Sequence, residues 1–158
     1  MEWRFFEEKD LYWIQKISED FLKESDWGDR VEINKEKVKN YFLAAMKNPS
    51  MFGIIALKED NPIGFMIGCL LEFPYSKDKF AKQLELYVVP KERGKMAGLQ
   101  MMKKFIEWSK MNGAKEVIFD VSNQAGNFDK LIGEYCEHTR INRRSGPNRN
   151  DVWHTVFA

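Results

Sequence analysis

The sequence predicts an α/β fold in which a single domain, residues 1–158, is built around one sheet. Segments with apolar residues at helical spacing alternate with short apolar runs rich in strand-forming residues. No internal repeat or linker divides the 158 residues. Hydrophobic residues make up 44% and charged residues 31%, a composition typical of a globular domain that buries a core.

The first half of the chain predicts a strand, two helices and a hairpin. The first helix begins at Leu11 and fades at Asp26-Trp27-Gly28, and Asn34 is a suitable N-cap for the second. The turn 59–62 joins the two hairpin strands. The remaining predicted bounds are strand Trp3–Phe6, helix Asn34–Asn48, and hairpin strands Met51–Leu57 and Ile63–Phe73.

The second half alternates strands with helices and brings the totals to about six to seven strands flanked by about four helices. The third helix is predicted to end at Gly113, since glycine favours the conformation that follows a helix. The predicted elements are strand Gln83–Val89, a helix from about Gly94 to Asn112, strand Val117–Val121, helix Phe128–Glu137, and strands Thr139–Arg144 and Val152–Phe157.

The composition excludes several classes of protein. The net charge of +1 gives no overall basic field and argues against nucleic acid as a partner. The two cysteines, Cys69 and Cys136, lack CxxC spacing, so neither a disulfide scaffold nor a metal site is expected. The longest apolar run, Ile63–Leu71, is too short to span a bilayer. We expect a cytoplasmic protein with reduced thiols and no membrane association.

The stretch from Leu84 to Gly98 is the most specific feature of the sequence. It predicts a buried strand, a stop at Pro90, a short turn and the start of a helix. Backbone N–H groups at such a helix start converge where the positive end of the helix dipole lies. This arrangement suits a pyrophosphate.

The order of elements and the pattern Leu86-Tyr87-Val88-Val89-Pro90-x-x-Arg93-Gly94-Lys95-x-x-Gly98 resemble the GNAT superfamily of acyl-CoA N-acyltransferases. In that family the fourth strand ends in a pattern like L-x-V-x-P, followed by an R/Q-x-x-G-x-G/A loop. Met96 departs from it, since it stands where the middle glycine is usual. The resemblance implies a GNAT-like single domain with a mixed, twisted sheet.

The resemblance also implies acetyl-CoA as the acyl donor. Its pantetheine arm would lie along main-chain groups near Leu86, Tyr87 and Val88. Asn123 is a candidate pantetheine contact, with a turn or cap role as the alternative. Arg93 and Lys95 would add charge beside the pyrophosphate, although Arg93 could instead pair with Glu92 or Asp120. The pyrophosphate would bind the backbone N–H groups of Gly94, Lys95, Met96, Ala97, Gly98 and Leu99.

Acyl transfer to an amine needs a base for the amine and an acid for the leaving thiolate. Glu85 is a candidate base whose pKa burial would raise, with a carboxylate at the sheet surface as the alternative. Asp120 in the fifth strand is a rival, because GNAT enzymes also place acidic bases there. Tyr135 is the candidate acid, against the alternative of an ordinary core tyrosine.

The sequence therefore predicts an N-acetyltransferase that transfers acetyl from acetyl-CoA to a primary amine by direct attack in a ternary complex, without a metal. The acceptor, a small molecule or a protein, stays open, as does homodimerisation. The alternative is a catalytically impaired GNAT-like module that binds CoA or regulates. A weaker third option is nucleic-acid acetylation guided by the basic tail from Arg140 to Arg149.

Overall fold

The computed structural model describes residues 1–25, 27–121, 141–145 and 151–156. These ranges contain seven strands, which form one sheet in the order β1-β2-β3-β4-β5-β7-β6, and three α-helices. The elements are β1 (Glu2–Phe5), α1 (Leu11–Glu24), α2 (Lys35–Lys47), β2 (Met51–Lys58), β3 (Asn61–Glu72), β4 (Lys79–Val88), α3 (Ala97–Met111), β5 (Ala114–Val121), β6 (Ile141–Ser145) and β7 (Asp151–Val156).

The sheet is mixed, as predicted. β4 and β5 run parallel, and the other neighbouring pairs are antiparallel. Parallel neighbours need a crossover connection, which α3 supplies. The α/β class with a GNAT-like sheet is confirmed. The predicted fourth helix, Phe128–Glu137, lies outside the described residues.

Each face of the sheet buries its own apolar cluster, because side chains alternate along a strand. On β3, Phe65 packs into the cluster beneath α1 and α2, and Met66 packs into the cluster beneath α3. Ile14 and Phe42 bring α1 and α2 onto the first face, and Phe105 brings α3 onto the second. We call these the α1/α2 face and the α3 face.

Most predicted bounds hold to within a few residues, and Asn34 caps α2 by accepting a hydrogen bond from the Lys37 N–H at 2.9 Å. Two bounds differ. β4 begins at Lys79 rather than Gln83, since its first residues pair with β3 and β5 on both sides. α3 begins at Ala97 rather than Gly94, because Gly94 has a φ of 76°, which no α-helix accommodates.

β4 and β5 separate partway along their length. β4 pairs with β3 up to Val88, but its pairing with β5 ends at Lys82, opposite Ile118. Of the described β5 residues, none pairs with Gln83–Val88. The resulting opening, which we call the β4–β5 gap, leaves one edge of β4 without a strand partner.

A β-bulge in β4 lies at the closed end of this gap. Ile67 pairs with Glu85 and Gly68 pairs with Gln83, so Leu84 is an extra residue on β4. The insertion reverses which side chains face each helix layer. Ala81 packs on the α3 face, whereas Tyr87, an even number of residues later, packs on the α1/α2 face. Glu85 is therefore turned toward the α1/α2 face.

Candidate active site

The turn before α3 presents a run of free backbone donors. The first α3 N–H group with a helical acceptor is that of Gln100, which donates to the Met96 carbonyl at 2.9 Å. The six preceding N–H groups, from Gly94 to Leu99, have no acceptor among the described residues. Gly98, within this run, lies against Val88 at the open end of the β4–β5 gap. The predicted anion site is thus next to the gap.

Met96 fits this turn without strain. Its φ of −79° and ψ of −9° are ordinary for any residue, and its side chain is exposed. A glycine is not required at this position by the backbone conformation. The departure from the family pattern therefore does not distort the start of α3.

The two cationic side chains of the turn are paired with carboxylates. Lys95 Nζ lies 2.8 Å from Glu92 Oε2, and Lys58 lies 3.2 Å from the other oxygen of the same carboxylate. These two lysines lower the pKa of Glu92 by donating to it. Arg93 pairs with Glu24 at the end of α1, at 2.6 Å, and not with the predicted alternative Glu92.

Arg93 contacts three residues that belong to two elements, α1 and β4. Its Nε donates to the Val88 carbonyl at 2.8 Å, and its guanidinium lies 5.3 Å from the centroid of the Tyr87 ring. The Tyr87 hydroxyl donates to Glu24 at 3.4 Å. Because Tyr87 is on the α1/α2 face, the guanidinium joins the end of α1 to the end of β4.

The gap-facing edge of β4 is supplied by Leu86 and Val88. The Val89 N–H donates to Ile63 of β3, and the Tyr87 carbonyl oxygen is directed at Gly64 of β3. Peptide groups alternate in direction along a strand, so those of Leu86 and Val88 face the gap. Of the three predicted main-chain contacts, Tyr87 is directed away from the gap.

Glu85 lies at the bulge and is half-buried. Burial raises the pKa of its carboxyl to about 7, because the low-polarity surroundings disfavour the charged form. The sequence left open whether Glu85 is a base that faces the reaction cleft or a carboxylate at the sheet surface. Its catalytic role stays a prediction.

Two residues that the sequence did not single out lie near Glu85. Tyr41 comes from α2, and Cys69 shares the α1/α2 face of β3 with Ile67, the partner of Glu85. Burial, and then the charges of Glu85 and Cys69, raise the pKa of Tyr41. Burial also raises the pKa of Cys69. No local motif marks this grouping, because the bulge that turns Glu85 toward α2 leaves no signature in the sequence.

The other predicted catalytic residues are only partly placed. Asp120 lies near the end of β5, beyond the last residue that pairs with β4, and its backbone alone is described. Tyr135 and Asn123 lie outside the described residues.

Among the residues that the structure describes, no group of three His, Cys, Asp or Glu side chains is placed to hold a metal ion. No helix in the described ranges is long and apolar enough to cross a membrane.

A mixed sheet that divides between two parallel strands, with free N–H groups at the next helix start, defines a protein of the acyl-CoA N-acyltransferase class. A model of the Acetyltransferase (GNAT) family matches residues 10–128. The chain belongs to this family.

Solved structures share the fold over nearly the whole chain. A PaiA N-acetyltransferase from Thermoplasma acidophilum, in complex with coenzyme A, has a TM-score of 0.74 at 16% identity and covers 99% of this chain and 98% of its own. A predicted acetyltransferase from Clostridium acetobutylicum, with acetyl-CoA, has a TM-score of 0.71 at 16% identity and covers 93% and 92%.

NAA60 from Arabidopsis thaliana, in complex with a bisubstrate analogue, has a TM-score of 0.69 at 15% identity and covers 99% and 96%. At these identities the likeness concerns the fold alone. Comparison with curated protein sequences finds no similar chain.

The raised pKa of Glu85 makes stability depend on pH. A carboxyl whose pKa rises from about 4.3 in the unfolded chain contributes stability below that pH and loses it as pH rises toward the folded value of about 7. We expect Glu85→Gln to lack this loss. Its free energy of unfolding should therefore rise, relative to that of the wild type, by at most about 3 kcal/mol between pH 4.5 and pH 8.

Urea unfolding at the two pH values measures the difference. The matched control is Glu72→Gln at the exposed end of β3, which should follow the wild type. An equal difference between Glu85→Gln and wild type at both pH values would contradict the placement of Glu85.

Proposed function

We propose that the protein is an acetyl-CoA-dependent N-acetyltransferase that transfers the acetyl group to a primary amine by direct attack in a ternary complex. The observation that carries the proposal is the β4–β5 gap, which leads to the six free N–H groups from Gly94 to Leu99. An extended ligand with an anionic end matches both parts. The proposed localisation is cytoplasmic.

The described residues fit such a ligand through main-chain groups. The N–H groups at the start of α3 would hold the diphosphate, aided by the helix dipole. The peptide groups of Leu86 and the N–H of Val88 would pair with the pantetheine arm as a neighbouring strand would, while the Val88 carbonyl accepts from Arg93. Arg93 and Lys95 already have carboxylate partners, so the amides carry most of the binding.

Glu85 is the proposed general base. A carboxyl with a pKa of about 7 is half ionised near neutral pH and so is suited to accepting a proton from an ammonium group. It is turned toward the α1/α2 face, whereas Leu86 and Val88 pack against the α3-face cluster. We therefore place the amine on the α1/α2 side of β4, where Tyr41 also lies.

Acetyl-CoA supplies a thioester whose carbonyl carbon accepts the amine nitrogen while its bond to sulfur breaks. Glu85 takes the proton that the amine releases, and the departing thiolate needs a proton from an acid. Tyr135 remains the proposed acid, with Asp120 as a rival base. Gap-facing N–H groups of β4 would stabilise the charge that develops on the carbonyl oxygen.

A charge placed at the helix start tests cofactor binding. A Cβ on Gly98 meets only Val88, at 3.8 Å, so a small side chain fits. We expect Gly98→Asp to preserve folding, because an acidic residue in the first turn favours the helix, yet to weaken CoA binding at least about tenfold by repelling the diphosphate.

Calorimetry with CoA and thermal melting measure the two effects separately. Gly98→Asn, which has nearly the same shape without the charge, is the control and should bind CoA more tightly than Gly98→Asp. Equal CoA affinity for the two variants would contradict the assignment of the diphosphate to the N–H groups at the start of α3. Failure of the wild type to bind CoA at near-millimolar concentrations would end the enzyme proposal.

The base assignment is tested by turnover. Thiol release from acetyl-CoA is followed with a panel of primary amines, lysine and peptides with free N-termini. We expect Glu85→Gln to lower kcat/KM about 100-fold or more and to remove the rise in rate near pH 7, while CoA affinity stays unchanged.

An unchanged rate and pH profile in Glu85→Gln would contradict its role and favour Asp120. CoA binding without turnover of any amine would favour the alternative, a catalytically impaired CoA-binding or regulatory module. That alternative is motivated by Met96 in the loop and by the degraded pattern around the proposed acid, Tyr135.

A further inference from the structure

Gln83 is a buried polar side chain that lacks one of its hydrogen bonds among the described residues. Its exposure is 8%, and its Oε1 is the one buried side-chain polar atom without a hydrogen-bond partner in the part of the chain that the structure describes. Such atoms are rare, because water bonds lost on burial are normally replaced within the protein. Because the unpartnered oxygen belongs to a residue beside the β4–β5 gap, a ligand bound in that gap is a candidate to supply the missing bond.

Gln83 stands at the closed end of the β4–β5 gap. It directly follows Lys82, the last β4 residue paired with β5, and directly precedes the Leu84 bulge. It is therefore the first β4 residue beyond the end of the pairing with β5.

The side chain of Gln83 belongs to the α3 face. Ala81, two residues earlier, packs into the cluster on that face, and side chains two apart share a face. The partner of Gln83 across the strands is Gly68, and a side chain there would collide with Phe105, at 2.2 Å from Cε2. Past the bulge, Leu86 and Val88 return to this face. Gln83, Leu86 and Val88 thus form a row that leads to the start of α3.

We propose that Gln83 binds the thioester end of acyl-CoA, with its Oε1 accepting a hydrogen bond from the cysteamine amide N–H of the pantetheine arm. The inference rests on the proposed function and extends it to a named side chain. A ligand held by its diphosphate beside Gly98 and laid along Val88 and Leu86 reaches Gln83 with the end that carries sulfur. The amide nearest the sulfur is a donor, which an unpartnered oxygen requires.

If Gln83 binds the thioester end, its replacement should affect the stability of the free protein and the affinity for acetyl-CoA in opposite directions. Gln83→Met keeps a similar volume and removes the unpartnered oxygen, so we expect a higher Tm for the free protein. The same change removes the bond to the ligand, so we expect acetyl-CoA to bind about tenfold more weakly. Binding of 3′-phospho-ADP, which retains the diphosphate but lacks the pantetheine arm, should be unchanged.

The experiment measures both ligands by calorimetry and Tm by scanning calorimetry. Gln15→Met, the same chemical change in α1, is the control and should leave both affinities at the wild-type value. Gln83→Asn keeps a polar amide but shortens the side chain, so it should also weaken the binding of acetyl-CoA and leave the binding of 3′-phospho-ADP unchanged. It serves as the second variant if the methionine variant folds poorly.

An acetyl-CoA analogue with an ester oxygen in place of the cysteamine N–H completes the test. The wild type should bind this analogue about tenfold more weakly than acetyl-CoA, and Gln83→Met should bind the two equally. Unchanged acetyl-CoA affinity in Gln83→Met, or equal loss for acetyl-CoA and 3′-phospho-ADP, would overturn the role of Gln83. Failure of both ligands to bind the wild type would instead overturn the proposed function and this inference with it.

Discussion

The separation of β4 from β5 beyond Lys82 is the constraint on which the rest of the site depends. A strand edge inside a sheet exposes peptide N–H and C=O groups that ordinarily have partners. Here the edge belongs to the peptide groups of Leu86 and the N–H of Val88, since the Val88 carbonyl accepts from Arg93, and it runs to the free N–H groups at the start of α3. A ligand that supplies both an extended amide chain and an anion satisfies the two sets of groups together.

The bulge at Leu84 gives this opening two chemically different sides. If β4 alternated regularly through Leu84, with no bulge, Glu85 and Tyr87 would be turned toward α3, and Leu86 would take their place beneath α1 and α2. With the bulge, the apolar side chains pack under α3, while the half-buried carboxyl of Glu85 is turned toward the layer that contains Tyr41. Gln83 precedes the bulge and shares the α3 face with Ala81, so the bulge places the proposed base and the proposed pantetheine contact on opposite faces of the sheet. Arg93 then ties the end of α1 to the end of β4 through Glu24 and Val88.

The features that the sequence predicted are those set by local chemistry. Asn34 at a helix start, glycine after a helix and apolar runs of strand length each act within a few residues, so the order of the elements was predictable. The free donors beside Gly98 were predictable for the same reason, because a turn followed by a helix always leaves its first N–H groups without helical acceptors.

The rest depends on contacts between distant parts of the chain. Glu24 and Arg93 are 69 residues apart, and no pattern in the sequence links them. Tyr41 lies near Glu85 only because a bulge reverses the alternation of side chains along β4. The missing hydrogen-bond partner of Gln83 can be recognised only once the structure shows where β5 diverges from β4. Met96 departs from the family pattern, yet its backbone conformation is one that any residue adopts, so the start of α3 forms without a glycine there.

The most direct test of the central claim is an amide NMR titration of the ¹⁵N-labelled protein with CoA. The account predicts that the largest shift changes fall on the N–H groups from Gly94 to Leu99 and on those of Leu86 and Val88, with the N–H of Tyr87 changing less because it faces β3. Shift changes confined to other regions, or spread evenly over the sheet, would contradict the claim that the β4–β5 gap and the start of α3 form the CoA site.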